Sequence, residues 1–418
     1  MIPAGPLLGQ TGRVGWCEVA RYLPVLHRSG LRLVITYGSR RVIIWKSLWK
    51  AAVYPVAVLA ALSALGCGMP VLDRKPAHTP GPPLEVGAEV VAENLEVPWA
   101  LAFAPDGRLF FTERPGRLRV IENGQLRPEP VATFDVASVG EAGLLGLALD
   151  PDFASNRLAY VYHTYRSGDQ LRNRVVRFVM DDNGIKDVTA ILDGIPGANI
   201  HDGGRIKFGP DGKLYVTTGD ATESESSQDV GSLAGKILRI NSDGSVPANN
   251  PFANSPVFTL GHRNSQGISW HPVTGQMFAT EHGPVGRDEV NIIERGQNYG
   301  WPKVAGFGDE PQFVNPIVEY TPAIAPAGAA FFTDGKLFGW NGDLFFACLR
   351  GQQLRRLVLA SPDYRQVQSQ QVLFQGEFGR LRALVLGPDG LLYFSTSNRD
   401  GRGDPAGNDD RILRIVPR

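Results

Sequence analysis

The chain has 418 residues, with 42 Lys+Arg against 42 Asp+Glu and a formal net charge of zero. That balance, with no basic run past residue 60, gives no electrostatic footprint for nucleic acid and excludes that class of partner. The 49 glycines and 31 prolines, with aromatics spread along the chain, point to many short strands and tight turns rather than disorder.

At the N-terminus, Arg40, Arg41, Lys46 and Lys50 precede the apolar run AAVYPVAVLAALSALGCG. A positive segment, an apolar segment and a small-residue exit form the layout of an export signal. Pro55 and the short apolar length argue against a stable membrane span. Ala64-Leu65-Gly66-Cys67 resembles a lipobox, so the leader ends either in plain cleavage or in lipidation of Cys67. The expected division is therefore 1–68 as a leader extension plus export signal peptide, 69–84 as a Pro-rich linker, and 85–418 as the working domain. Residues 1 to about 40 are unusual ahead of a signal and read as the product of an early start codon. Cys17, Cys67 and Cys348 are too few for a disulfide framework. Cys348, in DLFFACLR, reads as a small buried thiol.

From residue 85 one phrase recurs: an apolar residue, a turn built on Pro, Asp or Gly, then an apolar and aromatic strand. It occurs at 103–113, 147–165, 208–220, 269–283, 338–349 and 386–398, six copies in all. A further strand ending in Arg and an aliphatic often follows, as in GRLRVIE, GKILRIN and RILRIVP. A spacing of about 55 residues suits four-stranded propeller blades with loop insertions. The expected fold is all-β: a six-bladed β-propeller of four-stranded antiparallel blades. Its ring closes between a strand near Val86–Val97 and one near Arg411–Val416.

Loops that break strand grammar are the site candidates, because propeller loops gather at the channel ends. In Asn199-Ile-His-Asp-Gly-Gly-Arg205, His201 is either a general base or a loop histidine bonding backbone. In Thr259–Gly267, Arg263, Asn264 and Gln266 suit a flat, anionic, carbonyl-rich ligand, or Arg263 is an ion-pair partner between blades. Glu281-His-Gly-Pro-Val-Gly-Arg-Asp-Glu-Val-Asn291 offers hard oxygen donors of the kind Ca²⁺ takes. Arg380 and Arg382 are two apart, on one face of a strand. Two guanidiniums there repel unless they share an anion, from a carboxylate-bearing ligand or from an acid of the next blade. Arg350 is placed to join them.

The motifs VPWALAFAPDG, GLLGLALDPDF, HDGGR, GHRNSQG, EHGP, DEVN, NYGWP and GRLRALVLGPDG, in this order, resemble the soluble PQQ-dependent glucose and aldose sugar dehydrogenases from about Val90 to Arg418. The resemblance implies a six-bladed propeller binding pyrroloquinoline quinone (PQQ) and Ca²⁺, and oxidation of aldoses at the anomeric carbon to lactones. It implies His201 as the base and Arg263 as the group on the reacting quinone oxygens. It places Asn264 and Gln266 in the cofactor loop and Arg380 and Arg382 on PQQ carboxylates. Gly283 and Pro284 match backbone ligands of the Ca²⁺ that bridges to PQQ. Asp288, Glu289 and Tyr299 match a region holding a second Ca²⁺ in some members. Asp202 either touches the sugar or only orders the loop. Two departures stand out: Arg350 replaces a cofactor-binding Lys, and Glu141 replaces a Gln near the base, where its charge opposes an anionic cofactor. The short stretch from Gly306 to Pro322 is similar to the aldose sugar dehydrogenases and implies an open mouth.

On this reading the protein is periplasmic or extracellular, passes electrons to an external acceptor, and works as a monomer or homodimer. Two competing readings share the fold: a cofactor-free binding propeller, as in hedgehog-interacting relatives, and a Ca²⁺-dependent lactonase.

Overall fold

The computed structural model describes residues 25–27, 30–37, 40–45, 85–181, 184–337 and 339–418. The chain forms two units, Met1–Lys75 and Pro76–Arg418. The first holds a three-stranded antiparallel sheet of Val25–His27, Gly30–Tyr37 and Arg40–Trp45. The apolar signal run, Cys67 and the linker lie outside the described residues.

The second unit is a six-bladed propeller of antiparallel sheets. The innermost strands are Pro98–Phe103, Leu144–Leu149, Ile206–Phe208, Ser265–Trp270, Pro326–Phe331 and Leu381–Leu386. In the first blade the outer position is shared by Gln125–Leu126 and Ala132–Thr133, both paired with Arg117–Glu122. Among the described residues, helix is limited to Phe153–Asn156 and the 3-10 turn Ser224–Gln228. None is long and apolar enough to cross a membrane.

Each recurring phrase falls in a different blade, and its turn has a repeated chemistry. At Gly209–Lys213 the Gly209 N–H donates to the Lys213 carbonyl at 2.9 Å, and Asp211 Oδ1 accepts from the Lys213 N–H. The turn at 387–391 repeats this with Gly387, Leu391 and Asp389. The aromatic of the following strand then binds the turn acid: Tyr215 Oη donates to Asp211 and Tyr393 Oη to Asp389. The strand ending in Arg completes the set, with Arg239 Nη2 2.7 Å from Asp211 and Arg414 Nη1 3.6 Å from Asp389.

The ring closes as expected. Val86–Ala92 pairs antiparallel with Ile412–Pro417, which also pairs with Leu392–Thr396. The core lies between blades: one apolar cluster runs from Trp99 through Tyr160 to Leu238, another joins Phe111, Phe345 and Phe394. Cys348 is a buried free thiol.

His271, in the fourth blade's turn, is buried against Tyr364 with ring centroids 4.1 Å apart. Its Nδ1 accepts from the N–H groups of Val273 and Thr274, so it folds neutral, and burial lowers its pKa to about 4. The unfolded chain, titrating near 6.5, takes up the proton first. Stability from this group is therefore complete above that value and is lost as pH falls toward 4, by at most about 3 kcal/mol. His271→Asn, which can still cap the turn, should shrink the difference in urea midpoint between pH 7 and pH 4.5. An unchanged difference would show that His271 does not set the acid limb.

Candidate active site

The segments entering the innermost strands converge at one end of the channel around a cavity of about 760 Å³. The NIHDGGR loop is laid down backbone on backbone. A Cβ at Gly203 (φ 64°) would sit 2.7 Å from the Thr217 carbonyl, and one at Gly219 would strike the His201 carbonyl at 1.8 Å. Only glycine permits so close an approach. This seats His201 on the cavity wall with φ 62°, a left-handed conformation that histidine tolerates better than most residues.

His201 Nδ1 lies 2.8 Å from Asp220 Oδ1. Asp220 in turn accepts from the Thr222 N–H at 2.9 Å and, through Oδ2, from Trp301 Nε1 at 2.9 Å. Burial alone would raise the Asp220 pKa, but the bond to His201 and its charge outweigh that and lower it. Asp220 thus orients His201 with its Nδ1 engaged, leaving Nε2 as the free ring nitrogen. Neither Asp220 nor Trp301 was singled out from the sequence. The signal available was the carboxylate ending the strand directly after the histidine loop.

The Arg263 loop rests on a buried ammonium. Lys236 Nζ donates to the carbonyls of Ser226, Ser227 and Ala234 at 2.7, 3.1 and 2.6 Å, and Ser227 then accepts from the Gly261 N–H and donates to His262 O. Arg263 Nη1 donates to His282 O at 3.2 Å and its guanidinium lies over Trp301, while Nε is buried without a partner. Burial lowers its pKa against the opposing pull of Asp220 and Glu281. Gln266 lines the cavity and its Oε1 accepts from Arg382 at 3.3 Å. Asn264 does not line it: its Oδ1 accepts from the Gly203 N–H and so ties the arginine loop to the histidine loop.

Arg380 and Arg382 both face the cavity, and the anion they share is Asp400 of their own blade, not an acid of the next. Asp400 Oδ2 is 2.8 Å from Arg380 Nε and 3.3 Å from Arg382 Nη2. Arg350 stands exposed at the rim. Glu141 is not a bare charge: Oε1 is 2.5 Å from Arg402 Nη1 and Oε2 accepts from the His201 N–H at 3.2 Å. Burial pushes its pKa up, but His282, Arg402 and the His201 N–H bring it down to about 2. Arg114, Asp400 and Arg402 were missed in the sequence. They lie in turns whose role appears only when first and last blades meet.

Asp202 does not line the cavity. It is buried, Oδ1 accepts from Asn173 Nδ2 and the Ala198 N–H, and its pKa is raised to about 7 by burial. Its side chain ties Asn173 and the Ala198 main chain to the histidine loop, away from the cavity.

Gly283 and Pro284 line the cavity beside Asp288. Asp288 is a brace: Oδ1 accepts from the Gly283 N–H and Oδ2 from those of Ile324 and Ala325 at 2.6 and 2.7 Å. Glu289 and Tyr299 border a separate void of about 10 Å³ with Glu281. Burial and the neighbouring Glu281 raise the Glu289 pKa to about 8. The Tyr299 hydroxyl is committed to the Ile292 carbonyl and the Glu294 N–H, leaving its own carbonyl as the oxygen it can offer. Among the described residues no cluster of three or more His, Cys, Asp or Glu is set to hold a metal, so a cation here would rely on carbonyl oxygens.

The cavity therefore presents an oriented imidazole and seven arginines against three carboxylates. Known proteins share this framework. The sequence pattern of the family described as Glucose / Sorbosone dehydrogenase matches residues 95–413. The chain is 47% identical to the putative oxidoreductase (glucose dehydrogenase) of Thermus thermophilus, covering 79% of this chain and 100% of that one with a TM-score of 0.74. It is 38% identical to the PQQ-bound aldose sugar dehydrogenase of Streptomyces coelicolor, covering 80% and 99% with a TM-score of 0.73. Aldose sugar dehydrogenase YliI of Escherichia coli is 30% identical over 80% of this chain and 94% of its own. With the pattern spanning most of the propeller, this chain belongs to the glucose/sorbosone dehydrogenase family of oxidoreductases.

Proposed function

We propose that the protein is an exported quinoprotein that oxidises aldoses at the anomeric carbon to lactones. The observation that carries this is the His201–Asp220 pair on the wall of an arginine-rich cavity. PQQ bears three carboxylates and an ortho-quinone, and the donor set suits it. Arg114 Nε and Arg263 Nε are buried with no partner; Asp400 takes only Nε of Arg380, and Arg382, bonded through Nε to Ser397, Nη1 to Gln266 and Nη2 to Asp400, keeps a second N–H on each terminal nitrogen. Arg380, Arg382 and Arg350 would hold carboxylates, with Arg350 able to replace a lysine by a bidentate contact. Arg263 would hold the quinone oxygens, with Gln266 beside it and Asn264 keeping that loop in place. Ca²⁺ would be held by the Gly283 and Pro284 carbonyls, and a second ion near Glu289 and the Tyr299 carbonyl.

When bound, PQQ supplies the acceptor for the two electrons that leave the anomeric carbon as hydride. His201 Nε2 takes the proton of the anomeric hydroxyl, and Asp220 steadies the imidazolium that forms. Arg263 stabilises negative charge developing opposite the base. Glu141, tied to Arg402, fixes the His201 main chain and adds no uncompensated charge.

Export rests on the charged, apolar and small-residue order before Cys67, with an external acceptor to reoxidise the cofactor. Chelator-stripped protein should reduce dye with glucose and other aldoses only when Ca²⁺ and PQQ are added together. Activity with neither, or turnover of a lactone with Ca²⁺ alone, would overturn the assignment. Failure to bind PQQ would leave a binding propeller.

A further inference from the structure

A second cavity, of about 270 Å³, lies at the other end of the channel. All six innermost strands contribute to it. Phe103 and Phe208, which end their strands, line it, whereas His201, Arg263 and Arg380 precede theirs. The two cavities therefore open on opposite faces.

Its walls are aliphatic and aromatic except for two cations, Arg205 and Lys207. Arg205 is 9% exposed. Its Nε donates to Gln266 O at 2.9 Å and its guanidinium lies 4.2 Å from the centre of the Trp99 ring, but no carboxylate meets it. Lys207 has no hydrogen-bond or ion-pair partner among the described residues. Burial lowers the pKa of Lys207 to about 8 and of Arg205 to about 9, and the charge of Arg205 pushes that of Lys207 down further. Other fully buried cations meet a carboxylate or three carbonyls, Arg356 with Asp343, Arg382 with Asp400 and Lys236 with three carbonyls, whereas no carboxylate meets Arg205 or the half-buried Lys207. A lysine stem can run along an apolar wall to bring its head to water. Arg205 is too deep for that and is held by the Gln266 and Trp99 carbonyls and the Trp99 ring, so this end of the channel carries two like charges with no carboxylate beside them.

We propose that this end of the channel is a binding site for a small amphiphilic carboxylate, its acid group on Lys207 and Arg205 and its aliphatic body against Leu101, Leu147 and Leu384. The cavity is smaller than the ~300–1,000 Å³ of drug-sized pockets, so the ligand is small. The apolar wall offers nothing to a bare inorganic anion. Arg205 also contacts Gln266 of the first cavity, so the site sits one residue behind the dehydrogenase site without sharing its ligands.

The test is calorimetric titration and thermal melting of the full-length protein with octanoate, with octanol and inorganic phosphate as probes of each half of the interaction. Octanoate should bind and raise the melting temperature, with both other probes much weaker. Lys207→Met should melt no lower than the parent, since it removes an unpaired cation from an apolar wall, and should bind octanoate at least about tenfold more weakly. Lys207→Arg should keep the affinity. The proposal is overturned if octanol binds as well as octanoate, if phosphate does, if nothing binds, or if Lys207→Met binds octanoate like the parent.

Discussion

Replacing His201 by Asn should lower aldose turnover by about 10²–10⁴-fold, the span expected for loss of a general base, while PQQ still binds. Asn is the informative substitute because His201 sits at φ 62°, where Asn is tolerated and a β-branched residue is strained. The main-chain contacts, His201 N–H to Glu141 and His201 carbonyl to the Ala221 N–H, survive the change. What is lost is a ring nitrogen able to take a proton. Asp220→Asn is the companion variant. It keeps size and the Trp301 contact but removes the charge that steadies a protonated His201. It should lower kcat and move the pH profile, whereas a purely structural role would lower stability and leave the profile in place. Single-turnover rates with cofactor occupancy read from absorbance would separate the cases. Full activity in His201→Asn would remove His201 as the base.

Stopping the chain before Ile412 should abolish cooperative unfolding of the whole propeller. Ile412, Leu413 and Ile415 are all fully buried. Burying such side chains is worth roughly 1.5–3 kcal/mol each, so their loss alone approaches the ~5–15 kcal/mol by which a domain is stable. The deletion also strips pairing from Leu392–Thr396 and Val86–Ala92 together. Asp410, just upstream, accepts from the Val97 and Asn398 N–H groups and locks the first blade to the last. Arg414→Ala is the contrast. Its pair with Glu89 is 39% and 52% exposed and should contribute under about 1 kcal/mol. A truncated chain that still melts in one sharp transition would show that the ring does not depend on this strand.

The blade count and the closing strand were legible because their causes are local. An apolar residue, a turn and an apolar strand recur within each blade, in two of them with a turn acid, a tyrosine four residues on and an arginine on the next strand, so the pattern repeats along the sequence. The histidine, arginine and glycine-proline loops were legible for the same reason, each being a short stretch with odd chemistry. What could not be read was pairing across the ring. Glu141 meets Arg402, 261 residues away, and that contact neutralises a charge that stood out as a departure. The sharing of Asp400 by Arg380 and Arg382 needed the loop after Leu392–Thr396 to fold back. Asp202 was open for the opposite reason: adjacency to His201 in sequence says nothing about facing, and its side chain turns toward Asn173.

The antiparallel seam between the propeller's first and last strands also has a mechanical meaning. Val86 is in register with Pro417, so both chain ends leave the ring at the same end of the same pair. A pull on the two ends would load those hydrogen bonds one after another and peel the seam like a zipper, not shear it all at once. Force would open the ring at this blade first. Conversely, a short peptide joining residue 86 to residue 417 would make the ring covalent, and chain-entropy arguments put the gain on the order of 5 kcal/mol.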